Sequence, residues 1–84
     1  MDSSPGRVFN KYNGIHQIID SSYVLGYNED QERMMYLYNY LKDPELKINL
    51  LRIESEQEKV IELSSHLLGF IQRFNNSMIL NELK

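Results

Sequence analysis

The run Met35-Tyr36-Leu37-Tyr38-Asn39-Tyr40-Leu41 decides how this chain of 84 residues folds. Three tyrosines alternate through it, and it admits two structures. As a strand it pairs with residues 22–27 in a hairpin across the acidic loop between them, a setting that suits tyrosine. As a helix it places Met34, Leu37, Tyr38 and Leu41 on one apolar face. Val, Ile and Thr are absent from the run, and the residues before it resemble a helix start. Asn28 is a capping residue, and Gln31, three residues on, can return a bond to its backbone. Glu29, Asp30 and Glu32 sit where a helix dipole favours negative charge. The sequence therefore predicts a helix over residues 29–42.

Upstream, Gly26 suits the left-handed residue that follows a helix. Before it, Val8, Tyr12, Ile15, Ile19 and Tyr23 recur at steps of three and four, and Ile18 widens the stripe. A helix over 12–24 is expected, its start delayed by the turn-forming pair Asn13-Gly14. Residues 1–6, MDSSPG, supply no apolar face and are expected to form a disordered tail.

Downstream, Asp43-Pro44-Glu45 offers an N-cap, a proline at the first helical position and an acid in the first turn. From there a seam runs through Leu46, Leu50, Ile53, Gln57, Val60, Ser64, Leu67, Ile71, Phe74 and Met78, in alternating steps of four and three. It predicts one helix over 44–80, about 57 Å long at the helical rise. Ser64-Ser65 and Gly69 are its weak points, and a break there would give a compact monomeric bundle. The whole of 7–84 thus reads as one all-α domain. Two short helices pack on the first half of a long helix with coiled-coil-like heptads.

Two short helices cannot cover the long one beyond Val60. There the stripe broadens as Ile61, Leu63, Leu68 and Phe70 join the seam, and a broad stripe meets more than one neighbour. Left in water, that surface would exceed what soluble monomers expose. A homodimer closes it most simply. Val60, Ile61, Leu63, Leu67, Leu68, Phe70, Ile71, Phe74 and Met78 are therefore the expected interaction surface, gripping a second copy or the helix of an unidentified protein partner. Aspartates at Leu67 and Ile71 should abolish assembly and leave little folded protein. Arg33, Tyr36 and Tyr40 form a possible secondary partner patch, since aromatics and arginine are enriched at interfaces.

Composition narrows the function. A net charge of −3 with nine Lys plus Arg, dispersed along the chain, argues against nucleic acid as a partner. The absence of Cys excludes disulfides and thiolate metal sites. Glu58, Glu62 and His66 share a helical face but make no specific metal motif. No nucleophile–base pairing, carboxylate pair or phosphate-binding glycine loop stands out, so neither an enzyme nor a cofactor is expected. No segment approaches a membrane span or a secretory leader, which points to the cytoplasm. The absence of Ala, with eight Ile and eight Asn, suits an AT-rich genome and hints at a phage or viral source. The expected function is a non-enzymatic adaptor or inhibitor that binds other proteins. The alternative is a small dimeric transcriptional regulator touching DNA through its N-terminal part, where Arg7 and Lys11 make the one basic end.

Overall fold

The computed structural model describes residues 6–82, with side chains described as far as residue 75. Its elements are β1 (Val8–Tyr12), β2 (Ile15–Ile19), β3 (Tyr23–Asn28), β4 (Arg33–Asn39) and α1 (Gln57–Glu82), with a 3-10 turn at Glu54–Glu56 leading into the helix. The strands form one antiparallel sheet in the order β1-β2-β3-β4. The all-α expectation is thereby overturned, and with it the coiled coil and the helical bundle. The helices expected over 12–24 and 29–42 are strands, and the one expected over 44–80 begins only at Gln57. Residues 1–5 of the expected tail lie outside the described residues.

Each correction has a local cause. Asn13 and Gly14 take φ values of 52° and 80°. Both are left-handed, as a two-residue type I′ hairpin turn requires. The turn pairs Tyr12 with Ile15 and Val8 with Ile19. Those four residues therefore share one face of a sheet. Their steps of four, three and four are what a helical stripe would also show.

The cap at Asn28 exists, but it closes a turn and not a helix. Its Oδ1 accepts the Gln31 N–H at 3.0 Å. Glu32 then turns left-handed, with φ of 54°, and the chain reverses into β4. There the tyrosine-rich run alternates as a strand does. Leu25 pairs with Leu37 and Val24 with Tyr38, so Leu37 points to the core while Tyr36 and Tyr38 point away. A bulge between Gly26 and Tyr27 admits Met35 as the extra residue of β4.

Asp43 also caps something other than a helix. Its carboxylate accepts the N–H groups of Lys47 at 3.1 Å and Ile48 at 2.8 Å. Leu46 is left-handed, with φ of 55°, which stops helical propagation. The segment that follows runs beside β4 and covers its edge. Leu50 N–H donates to the Leu37 carbonyl at 2.7 Å. The Asn49 side chain imitates a strand backbone: its oxygen accepts from Leu37 N–H at 3.1 Å, and its nitrogen donates to the Met35 carbonyl at 3.1 Å. This outer edge of the sheet is thus capped, as edge strands need to be.

One face of the sheet packs on α1. Ile18, Leu25 and Leu37 stand in register across three strands and meet Leu63, Leu67 and Ile71. Phe9 of β1 stacks on Phe70, with ring centroids 4.3 Å apart and planes 7° apart. The sheet covers the inner part of the α1 stripe, Val60, Leu63, Leu67 and Ile71, where the sequence suggests a second chain, and it leaves Ile61 and Leu68 exposed.

Candidate functional site

Most of the expected interaction surface lies inside the fold. Leu63, Leu67 and Ile71 are buried core residues. Val60 is half-buried against them, and Phe70 is held by Phe9. Ile61, Leu68 and Phe74 remain exposed, at 63%, 41% and 55%. The side chain of Met78 lies outside the described residues. The exposed three do not form one stripe. Ile61 and Leu68 lie two turns apart on the outer side of α1, while Phe74 extends the Phe9–Phe70 stack, 6.5 Å from Phe70.

The open apolar surface is instead the other face of the sheet. Register places Val8, Tyr12, Ile15, Ile19, Tyr36 and Tyr38 there together, around Val24, which is itself buried among them. Val8 is 54% and Tyr12 75% exposed. Two shallow grooves cross this face. One, of about 510 Å³, runs between Ile19, Val24, Tyr36, Tyr38, Tyr40 and Leu46. The other, of about 560 Å³, runs between Tyr12, Ile15, Gln17 and Tyr36.

The tyrosines are fixed by specific contacts. The Tyr36 ring lies across Gly26, where any Cβ would collide with it. Its hydroxyl accepts a hydrogen bond from the Gln17 side chain. Tyr38 packs at 5.2 Å from Tyr36, tilted by 30°. The Tyr40 hydroxyl donates to the Asp20 carbonyl. Each ring therefore has a held hydroxyl or a ring neighbour, with its flank open to the groove. Of the expected secondary patch, Tyr36 and Tyr40 share this face. Arg33 lines a separate hollow of about 290 Å³ with Met35 and Arg52. Val8, Tyr12, Ile15, Ile19 and Tyr38 were missed as surface residues. The signal for them was Asn13-Gly14, whose hairpin puts the first four on one face.

Charged groups gather at the two ends of the helix-covered face. At one end Lys59 lies 3.2 Å from Asp20 and 3.3 Å from Glu62, and 5.1 Å above the Tyr23 ring. Arg7 meets Glu62 at 3.8 Å, and the Tyr23 hydroxyl donates to Glu56 at 2.9 Å. These contacts tie α1 and the 3-10 turn before it to the β2–β3 turn, the start of β3 and the residue before β1. At the other end His16 sits 2.8 Å and Lys11 3.5 Å from Glu29. Those contacts tie the turn after β3 to β1 and β2. Arg7 and Lys11, the basic end of the alternative reading, are thus both engaged with carboxylates. Among the described residues no group of three His, Asp or Glu side chains converges as a metal site would need. Nor is any helix among the described residues long and apolar enough to cross a membrane.

Burial pushes the Asp20 carboxyl up, but the N–H groups of Ser22 and Tyr23 and the Lys59 ammonium outweigh it and hold it below its ordinary value. The His16 ring likewise draws Glu29 down, against partial burial. A depressed carboxyl stabilises the fold above its unfolded pKa, and that stability is lost as pH falls through the folded pKa. Resistance to urea should therefore decline on acidification through and below the ordinary carboxylate range. Asp20→Asn should flatten that acid limb relative to the wild type, in urea midpoints measured against pH. An acid limb unchanged by Asp20→Asn would contradict this role.

Comparison of the chain with protein-family models, curated proteins and solved structures finds no match.

Proposed function

We propose that this protein is a non-enzymatic protein–protein interaction module, operating in the cytoplasm, that offers the open face of its sheet to other protein surfaces and self-associates. The observation that carries the proposal is the pairing of an apolar, tyrosine-lined face with a sheet whose other face is already filled by α1. Tyrosine suits such a surface, because it presents large apolar area at little entropic cost and keeps a polar tip. Exposed contiguous apolar patches of this kind mark binding sites.

Capture from extracts of the source cells tests the proposal. A Tyr12→Lys/Tyr38→Lys protein should lose the bound partner. An Ile61→Lys/Leu68→Lys protein, altered on the outer side of α1, should retain it. The reverse pattern would move the binding surface to the helix and defeat the proposal.

A further inference from the structure

The two edges of the sheet differ. Asn49 and Leu50 occupy the β4 edge. Nothing among the described residues pairs with the outer edge of β1. In a two-residue hairpin the residues flanking the turn exchange both backbone hydrogen bonds. Tyr12 and Ile15 are that pair, so Tyr12, Asn10 and Val8 bond inward to β2. By alternation, the N–H and C=O groups of Phe9 and Lys11 point away from the sheet. Lys11 is the one charged residue of the strand, and it is drawn toward Glu29 at 3.5 Å.

The open face is also small. Four strands at about 4.8 Å spacing, each about five residues long, give a platform of roughly 300 Å² in projection. A standard interface takes about 800 Å² from each partner. Joining two platforms doubles the area, and a free edge beside the platform is where they can join.

We infer that two copies of this chain pair antiparallel through β1, with the two-fold axis at Asn10, to form a continuous eight-stranded sheet. This rests on the interaction-module reading and names its first partner. In this register Phe9 faces Lys11 of the second copy, and the outward groups of both residues are satisfied. On the open face Val8 meets Tyr12 of the second copy, so two of the most exposed apolar side chains cover each other. Neighbouring registers are worse. An axis at Phe9 sets Arg7 against Lys11, and an axis at Lys11 sets that residue against itself. Like charges directly opposite destabilise a pair of strands. The helices do not obstruct the pairing. Each α1 packs over β2 and β3, so the two axes would lie about 19 Å apart at the strand spacing, well beyond the ~8–10 Å of packed helices.

The chain has no cysteine, so one can be added cleanly. Asn10 would face its own copy in a non-hydrogen-bonded pair, where Cα atoms approach to about 4.5 Å, within disulfide reach. Under mild oxidation the full-length Asn10→Cys protein should become predominantly a covalent dimer of twice 10.0 kDa. Ser21→Cys, exposed at the far end of β2, should remain mostly monomeric on a reducing-agent-free gel. Lys11→Pro removes an outward N–H together with the exposed Lys11–Glu29 ion pair, a small loss, and in light scattering it should show the monomer mass while its circular dichroism stays that of the wild type. A wild type that is monomeric at every concentration overturns the inference. So does one that associates while Asn10→Cys fails to cross-link and Lys11→Pro still dimerises. A monomeric wild type also removes self-association from the module reading, whereas binding of another protein is judged separately, by whether the platform variants lose the captured partner.

Discussion

Leu67→Asp should leave the chain unfolded at every concentration. Leu67 is 1% exposed and stands among Ile18, Leu25, Leu37 and Leu63. Removing such a leucine costs about 2–5 kcal/mol in lost burial and residual cavity. The carboxylate left behind has no buried partner, and its desolvation adds several kcal/mol more. A domain of this size has only about 4–13 kcal/mol of stability in all, at the usual ~0.05–0.15 kcal/mol per residue. Circular dichroism should therefore show loss of both strand and helix signal. Were Leu67 part of an interface between chains, raising the concentration would recover folded protein by mass action. A core position offers no such recovery. Ile61→Asp, on the outer side of the same helix, should fold normally. A folded Leu67→Asp protein would contradict the position of α1 on the sheet.

Gly26→Ala should destabilise the protein by about 1–3 kcal/mol, the usual range for overpacking. The added Cβ would overlap the outer atoms of the Tyr36 ring. The ring must then leave, and its hydrogen bond from Gln17 is lost with it. In a Tyr36→Ala background the space is free, and Gly26→Ala should become neutral or slightly stabilising, because alanine loses less backbone entropy than glycine. Urea titrations of the four proteins in this cycle should give a coupling above about 1 kcal/mol. Additive effects would show that Gly26 and Tyr36 do not pack on each other. A lost grip on Tyr36 should also weaken partner capture, since that ring separates the two grooves of the open face.

The sequence carried the breaks better than the elements between them. Turn chemistry at Asn13-Gly14, Asn28 and Asp43 was visible, and all three are turns in the structure. Two of them mislead, because asparagine and aspartate accept backbone N–H groups equally in helix caps and in tight turns. Val8, Tyr12, Ile15 and Ile19 mislead for a geometric reason: a hairpin with a two-residue turn reproduces helical spacing on one sheet face. Only the left-handed demand of Asn13-Gly14 separates the two. The alternation of Tyr36, Tyr38 and Tyr40 about Leu37 was the strand signal, and it competed with a good capping pattern. The apolar stripe of α1 was legible, from Val60 through Leu63, Leu67 and Ile71. What covers it was not, because the covering surface comes from segments whose spacing and caps suit a helix equally well. The candidate surface inherits that error. Tyr36 and Tyr40 of the expected patch line the groove on the open face, while spacing alone assigns the β1 and β2 residues beside them to a helical core.

Backbone amide exchange in dilute and in concentrated protein, followed residue by residue, separates association through the sheet from association through the helix. Self-association through the sheet predicts that the outward amides of Phe9 and Lys11 exchange rapidly when dilute. On concentration they should become protected, while the amides of α1 from Val60 to Ile71 stay unchanged. Protection confined to α1 around Ile61 and Leu68, with Phe9 and Lys11 unaffected, would contradict it.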